Sequence, residues 1–285
     1  MNLRLLETTA ELSAVEELQG LIWPGNEIEI VPVHMLLAAL HGGGLLIGAF
    51  DDEMLVGFVF GFPGFDTTPE GLRPRHCSHM AGVHPDYRDS GVGFKLKRAQ
   101  WQMVRQQGLD HITWTYDPLQ SRNARLNIGK LGTVCNTYLP NYYGELRDGI
   151  NAGMPSDRFQ VDWWVNSQRV RRRLSKNPRP PLDLAHYLSA EVPRVNTTHL
   201  NAAGLAVPND VDLISITQPL LLLEIPADFM ALKAADQALA LEWRQHTRTL
   251  FTNLFAAGYL VTDFVFLSGR QPRSYYVLSH GKATL

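Results

Sequence analysis

The stretch Val83-His84-Pro85-Asp86-Tyr87-Arg88-Asp89-Ser90-Gly91-Val92-Gly93 constrains this chain more than any other. A short apolar run ends at Val83, a basic, glycine-bearing turn follows, and an amphipathic helix begins. The first-turn amides of a helix lack partners and carry a partial positive charge. Glycines let the backbone approach a ligand in dihedrals that other residues avoid. The order therefore suits a pyrophosphate held by backbone N–H groups. Lys95, Lys97 and Arg98 crowd the first two turns, where the dipole disfavours cations, and a bound polyanion would offset that cost. Asp89 works the other way and is expected to point to solvent. On charge and glycine alone, a plain strand–turn–helix connection accounts for the same residues equally well.

Periodicity places elements around this turn. Leu3–Leu6 and His79–Val83 read as strands, and Glu11–Ile22 and Val33–Leu40 as helices. Leu45–Phe50 and Met54–Phe62 read as a hairpin. Val92–Gly108 is a helix, with Val92, Leu96, Ala99 and Met103 on one face. His111–Tyr116, Val134–Tyr143 and Phe159–Val165 read as strands, and Arg122–Lys130 as a helix. Arg169–Pro181, dense in Arg and Pro, reads as an exposed linker, with contact to an anionic ligand as the other reading. Beyond it, Leu220–Ile225 is a strand and Asp236–Ala257 a helix. Tyr259–Leu267 and Tyr275–Leu278 form a terminal hairpin. This strand–helix–strand–strand order echoes the elements around the opening motif, as a degenerate repeat would. The expected organisation is an α/β (α+β) protein. Residues 1–166 form one domain, 167–183 a linker, and 184–285 a C-terminal β-α-β-β extension, a degenerate half of the first. The extension could complete an acceptor pocket, cover a sheet edge or form a homodimer interface.

Bulk properties narrow the function classes. The 285 residues carry 45% apolar and 19% charged side chains with a formal net charge of -2, so no nucleic-acid partner is expected. Two cysteines, Cys77 and Cys135, make no disulfide framework, which points to the cytoplasm. Cys77 and His79 have no further pair at metal-ligand spacing, so no metal is expected. No segment is long and apolar enough for a signal peptide or a membrane span. Leu96 stands where a dinucleotide fingerprint needs a third glycine. His41-Gly42-Gly43-Gly44 has no Gly-x-Ser-x-Gly partner and reads as a helix stop.

Arg88-Asp89-Ser90-Gly91-Val92-Gly93 fits the Gln/Arg-x-x-Gly-x-Gly/Ala signature of the GNAT superfamily of acyl-CoA N-acyltransferases. With the preceding strand end and the element order from about residue 3 to 166, the chain resembles a member with a long C-terminal extension. The resemblance implies a mixed central sheet flanked by helices. It also implies an acyl-CoA cosubstrate, acetyl-CoA or succinyl-CoA, lying between the strands at His79–Val83 and His111–Tyr116. Backbone from Met80 to Val83, including Ala81, would hold the pantetheine arm and thioester oxygen. Arg88, Asp89, Ser90, Gly91, Val92 and Gly93 would hold the pyrophosphate, with Ser121 as a further cofactor contact. An amine would attack the thioester directly in a ternary complex, and a backbone donor would stabilise the oxyanion.

An amine attacks only when neutral, so a base is needed. His79, on the strand beside the expected thioester, is the candidate, against a structural histidine. The family's usual tyrosine acid, two residues before Lys130-Leu131-Gly132, is replaced by Ile128, so Tyr138 is the alternative acid. Arg158 is a candidate clamp for a substrate carboxylate, with Trp163 or Trp164 shaping an apolar pocket. The rival reading is an Arg–Asp pair that fixes a strand. Together these predict N-acylation of a small-molecule amine, such as an amino acid. The absence of the tyrosine leaves a non-catalytic acyl-CoA sensor as the alternative.

Overall fold

The computed structural model describes residues 1–25, 29–144, 146, 152–178, 180–209, 211 and 217–280. They fall into two compact units. The first comprises Met1–Trp114, Leu146–Gly153 and Asp162–Asn166, and the second comprises Thr115–Glu145, Met154–Val161 and Ser167–Leu285.

In the first unit, β1 (Asn2–Leu5), β2 (Leu45–Asp51), β3 (Met54–Thr68), β4 (Gly71–Val83) and β5 (from His111, ending at Tyr116) form a sheet in chain order. Pairing is antiparallel except for β4 with β5, which is parallel. Alternation along the strands gives the sheet two apolar faces. On one, Leu46, Phe58 and Phe60 meet Leu12, Val15, Leu18 and Ile22 of α1 (Thr9–Ile22) and Leu36 of α2 (Val33–His41). On the other, Ile47, Ala49, Val56 and Val59 meet Val92 and Leu96 of α3 (Val92–Gln106). A capping box starts α1: the Glu11 amide donates to Thr8 Oγ1, and the Thr8 amide donates to Glu11 Oε2. With the Arg4 guanidinium beside it, the Glu11 carboxyl is held down to about 2.

The β3–β4 hairpin runs further than its apolar pattern suggests. The expected strands stop at Phe62 and start at His79, yet the ladder continues to Thr68 and Gly71. Its outer end is built from charge. Arg75 pairs with Asp66, Arg73 pairs with Asp110, and the buried His111 ring lies between Asp66 (3.1 Å) and Asp162 (2.9 Å). The same ring stacks on Trp164 at 4.2 Å.

In the second unit, β6 (Val134–Leu139), β11 (Tyr259–Leu267), β12 (Arg273–His280) and β10 (Leu220–Ile225) lie in that order. β12 is antiparallel to both β11 and β10, so it sits between the two strands joined by α7 (Phe229–Ala235) and α8 (Gln237–Ala256). Leu239, Trp243, Leu250 and Leu254 of α8 are all buried, as their spacing predicts. Phe159, in β7 (Arg158–Trp164), packs on Phe251 at 4.6 Å between ring centres. The helix expected over Arg122–Lys130 is one α-turn, α4 (Ser121–Ala124), widening into a π-turn over Arg125–Lys130. Part of the Arg-rich stretch is helical: α5 (Gln168–Arg173) buries Val170, Arg173 pairs with Asp263, and Arg169 donates to the Gly132 carbonyl. The stretch after it holds α6 (Leu184–Ser189) and a small ribbon of β8 (Thr198–Leu200) and β9 (Ala206–Pro208).

Candidate active site

The opening motif folds as a turn whose shape depends on two residues. Pro85–Tyr87 is a short 3₁₀ turn, anchored by Tyr87 Oη donating to Asp51 Oδ2 at 2.9 Å. Asp89 then takes φ 63° and Gly91 takes φ 85°, both left-handed. Gly91 is the N-cap of α3 and, as a glycine, supplies no side-chain cap to the first turn. The amide end of the helix dipole therefore opens onto a turn in which Arg88, Asp89, Ser90 and Gly91 are all exposed. A Cβ built on Gly91 would meet nothing within 4 Å, so space lies above this backbone. Val92 anchors the turn by burying its side chain under β2 and β3, and Gly93 follows it in the first turn of α3. Arg88 reaches the Ile22 carbonyl at 3.5 Å, and Asp89 is exposed, as expected.

Next to the turn, β4 carries an irregularity absent from its sequence pattern. Phe60 pairs with Met80 and Phe62 pairs with Cys77, so Ser78 and His79 together face Gly61. This is a β-bulge, which re-aims backbone groups locally. Gly61 is obligatory there: a Cβ would lie 2.3 Å from His76 Nε2 and 2.6 Å from the Cys77 carbonyl oxygen. The parallel ladder between β4 and β5 holds only two pairs, His76 with Ile112 and Cys77 with Thr113. It ends where the bulge begins. The candidate base, the strand residues Ala81 and Val83, and the glycine turn thus belong to one unit. His79 is exposed at its edge and lies beside the rings of Phe60 (6.0 Å) and Phe62 (5.9 Å). Their apolar surroundings disfavour the charged imidazolium and push its pKa below the ordinary histidine value.

The remaining candidates are held in networks of their own. Tyr138 donates its hydroxyl to Asp157 Oδ2 at 2.6 Å, and burial beside that carboxylate raises its pKa far above the usual tyrosine value. Arg248 grips the same buried carboxylate with two bonds of 2.7 and 2.8 Å. Arg158 lies beside the same residue. It donates to the Asp157 carbonyl oxygen at 2.9 Å and lies over the Tyr143 ring. Ser121 is buried and bonds Ser274 Oγ at 2.7 Å. Trp163 is fully buried, edge-on to Trp114, and fills core where the sequence suggested a pocket wall.

One cation of the helix start is also placed differently. Lys95 is exposed, but Lys97 points inward and is buried against β4 and β5. It cannot be counted among the charges facing a ligand at the turn. Among the described residues, no group of three or more His, Cys, Asp or Glu is arranged to hold a metal. No described helix is long and apolar enough to cross a membrane.

Comparison with known proteins agrees with the class this turn and sheet suggest. Residues 12–126 match the Acetyltransferase (GNAT) family model. They constitute a GNAT acetyltransferase domain. An aminoglycoside 6'-acetyltransferase type Ii is similar in structure at 18% identity and a TM-score of 0.46, over 59% of this chain and 99% of that one. The ribosomal-protein-S18-alanine N-acetyltransferase from Escherichia coli is similar at 14% identity and a TM-score of 0.44, over 58% and 94%. An aminoglycoside 6'-N-acetyltransferase complexed with coenzyme A is similar at 16% identity and a TM-score of 0.41, over 64% and 100%. No curated protein matches the chain.

Proposed function

We propose that the protein is an N-acyltransferase that moves an acyl group from acyl-CoA to the amine of a small molecule. The observation that carries this is the left-handed Asp89–Gly91 turn, which opens α3 at a glycine N-cap that supplies no side-chain cap. Those N–H groups would hold the pyrophosphate of the donor. The β4 backbone beyond Cys77, where pairing with β5 has ended, would receive the pantetheine arm.

In this reading the neutral amine attacks the thioester carbonyl carbon. A C–N bond forms, and a bulge amide of β4 stabilises the developing oxyanion. The C–S bond then breaks and CoA leaves as the thiolate. The proton of the attacking nitrogen passes to His79, directly or through one water. A base must be neutral to accept it, and the lowered His79 pKa favours the neutral ring. The scheme draws on first-unit residues alone. It assigns no protein acid, since the Tyr138 hydroxyl donates to Asp157 and a thiolate can leave without one.

CoA release, followed with acetyl-, propionyl- and succinyl-CoA against a panel of amines that includes amino acids, tests the proposal. Turnover with at least one pair is expected. CoA binding with no release for any pair would replace the enzyme with an acyl-CoA sensor, the reading that Ile128 favours at the position where the family resemblance implies a tyrosine.

A further inference from the structure

A buried lysine stands at the fork between β4 and β5. Lys97 Nζ donates to Ser78 Oγ at 2.8 Å and to Gln100 Oε1 at 3.1 Å. It also sits 3.5 Å from the ring centre of Trp114. Ser78 in turn donates to Gln100 Oε1 at 2.9 Å, which leaves the Gln100 amide to donate to His76 Nε2 at 3.1 Å. Lys97, Ser78, Gln100 and His76 are all buried, and none of these bonds reaches a carboxylate. Such a cation is costly to keep in a core, and a methionine would fill the same volume without the cost.

The positions of its contacts give it a purpose. The β4–β5 ladder ends at Cys77 and Thr113. Ser78 and Trp114 are the next residue on each strand, and Lys97 touches both. Ser78 is also one of the two bulged residues facing Gly61, and the other is His79. The ammonium therefore ties three things together: the end of the strand pairing, the bulge, and α3, whose first turn is the phosphate cradle. Its three hydrogens match the three acceptors around it, namely the serine oxygen, the amide oxygen and the indole face.

We infer that Lys97 is a positioning residue for acyl transfer: it fixes the Ser78–His79 bulge, and with it the base and the oxyanion donor, against the glycine turn that holds the donor. The inference rests on the acyltransferase reading above. Burial without a carboxylate partner pushes the lysine pKa well below its ordinary value, so the site is held at a cost to the ammonium.

Lys97→Met in the full chain tests it. The variant should fold, lose far less CoA affinity than activity because the cradle is untouched, and lose roughly 10- to 100-fold in kcat, since a small misplacement of reacting groups costs that much. An activity-independent readout accompanies it. Backbone amide exchange in the 77–82 segment should speed up roughly tenfold, while exchange at residues 92–96 stays as it was. If Lys97→Met does not fold, Ser78→Ala removes the bulge-side partner and should show the same pattern in milder form. Parental kcat with unaltered exchange at 77–82 would overturn the inference. So would a loss of CoA affinity equal to the loss of kcat. Absence of turnover in the parent protein would instead remove the acyltransferase reading, and the exchange measurement would still decide whether Lys97 holds the bulge.

Discussion

Replacing Gly91 with alanine separates the cost of the turn from its use. Gly91 adopts φ 85°, and a Cβ there would touch nothing within 4 Å. The folded chain therefore has no clash to relieve. Its penalty is the left-handed backbone alone, about 1–2 kcal/mol for a residue with a Cβ. For domains of 150–250 residues that corresponds to a fall of roughly 2–8 °C in Tm. The effect on the donor should be larger. The empty space above Gly91 is where the proposed pyrophosphate approaches the amides, so the methyl group would displace it from one or more of them. A charge-assisted hydrogen bond is worth about 1.5–3 kcal/mol, which is roughly 10- to 150-fold in Kd. The assay is calorimetric titration with CoA and, in parallel, with pantetheine, which has the arm but no pyrophosphate. CoA affinity should fall by that factor while pantetheine affinity stays near the parent value. An equal loss for both ligands, or none for either, would refute the cradle. A large fall in Tm together with unchanged CoA binding would show that the turn is only a connection.

Three further outcomes follow from the site. His79→Ala should lower kcat and erase the acidic limb of the pH–rate profile; in the parent that limb should lie below about pH 6.5, because desolvation beside Phe60 and Phe62 depresses this histidine. A variant whose profile keeps the parental shape would make His79 structural. His76 is held down to about 3 by burial and the nearby Lys97 charge, so the folded state binds fewer protons than the unfolded one. Its contribution is complete above about pH 6.5 and is lost as pH falls toward 3, about 2 kcal/mol of it between pH 7.5 and 5. Urea titrations at those two pH values should show a smaller pH dependence in His76→Leu, and an identical one would contradict the assignment. Gly61→Ala forces a methyl group against His76 Nε2 and the Cys77 carbonyl, and should cost about 1–3 kcal/mol by overpacking. A denaturation midpoint equal to the parent's would mean that the bulge can relax around it.

The residues explain why some of this was legible in the sequence and some was not. The helix after Gly91 could be read because Val92, Leu96, Ala99 and Met103 recur at helical spacing; Val92 and Leu96 are buried, and Ala99 and Met103 pack partly buried against the same cluster. The turn itself could be read because left-handed backbone at a helix start needs glycine. The outer half of β4 could not, since Arg73-Pro74-Arg75 has the composition of a loop. Its strand character comes from the ladder with β3 and from charge partners, Asp66 across the hairpin and Asp110 from further along the chain, that no local pattern announces. Lys97 is the sharpest case. It sits three residues before Gln100 on a stripe that helical arithmetic marks as buried, yet its charge alone argued for solvent, or for a phosphate. What brings it inside is Ser78 and Trp114, from two strands that converge only in the fold. Propensity and periodicity describe a segment's preference for its own conformation. A buried cation has no such preference, and it is tolerated only where tertiary structure supplies an acceptor for each hydrogen. A lysine in that position is therefore better evidence of a constraint on β4 and β5 than any of the apolar residues beside it, because those would be buried in any α/β core.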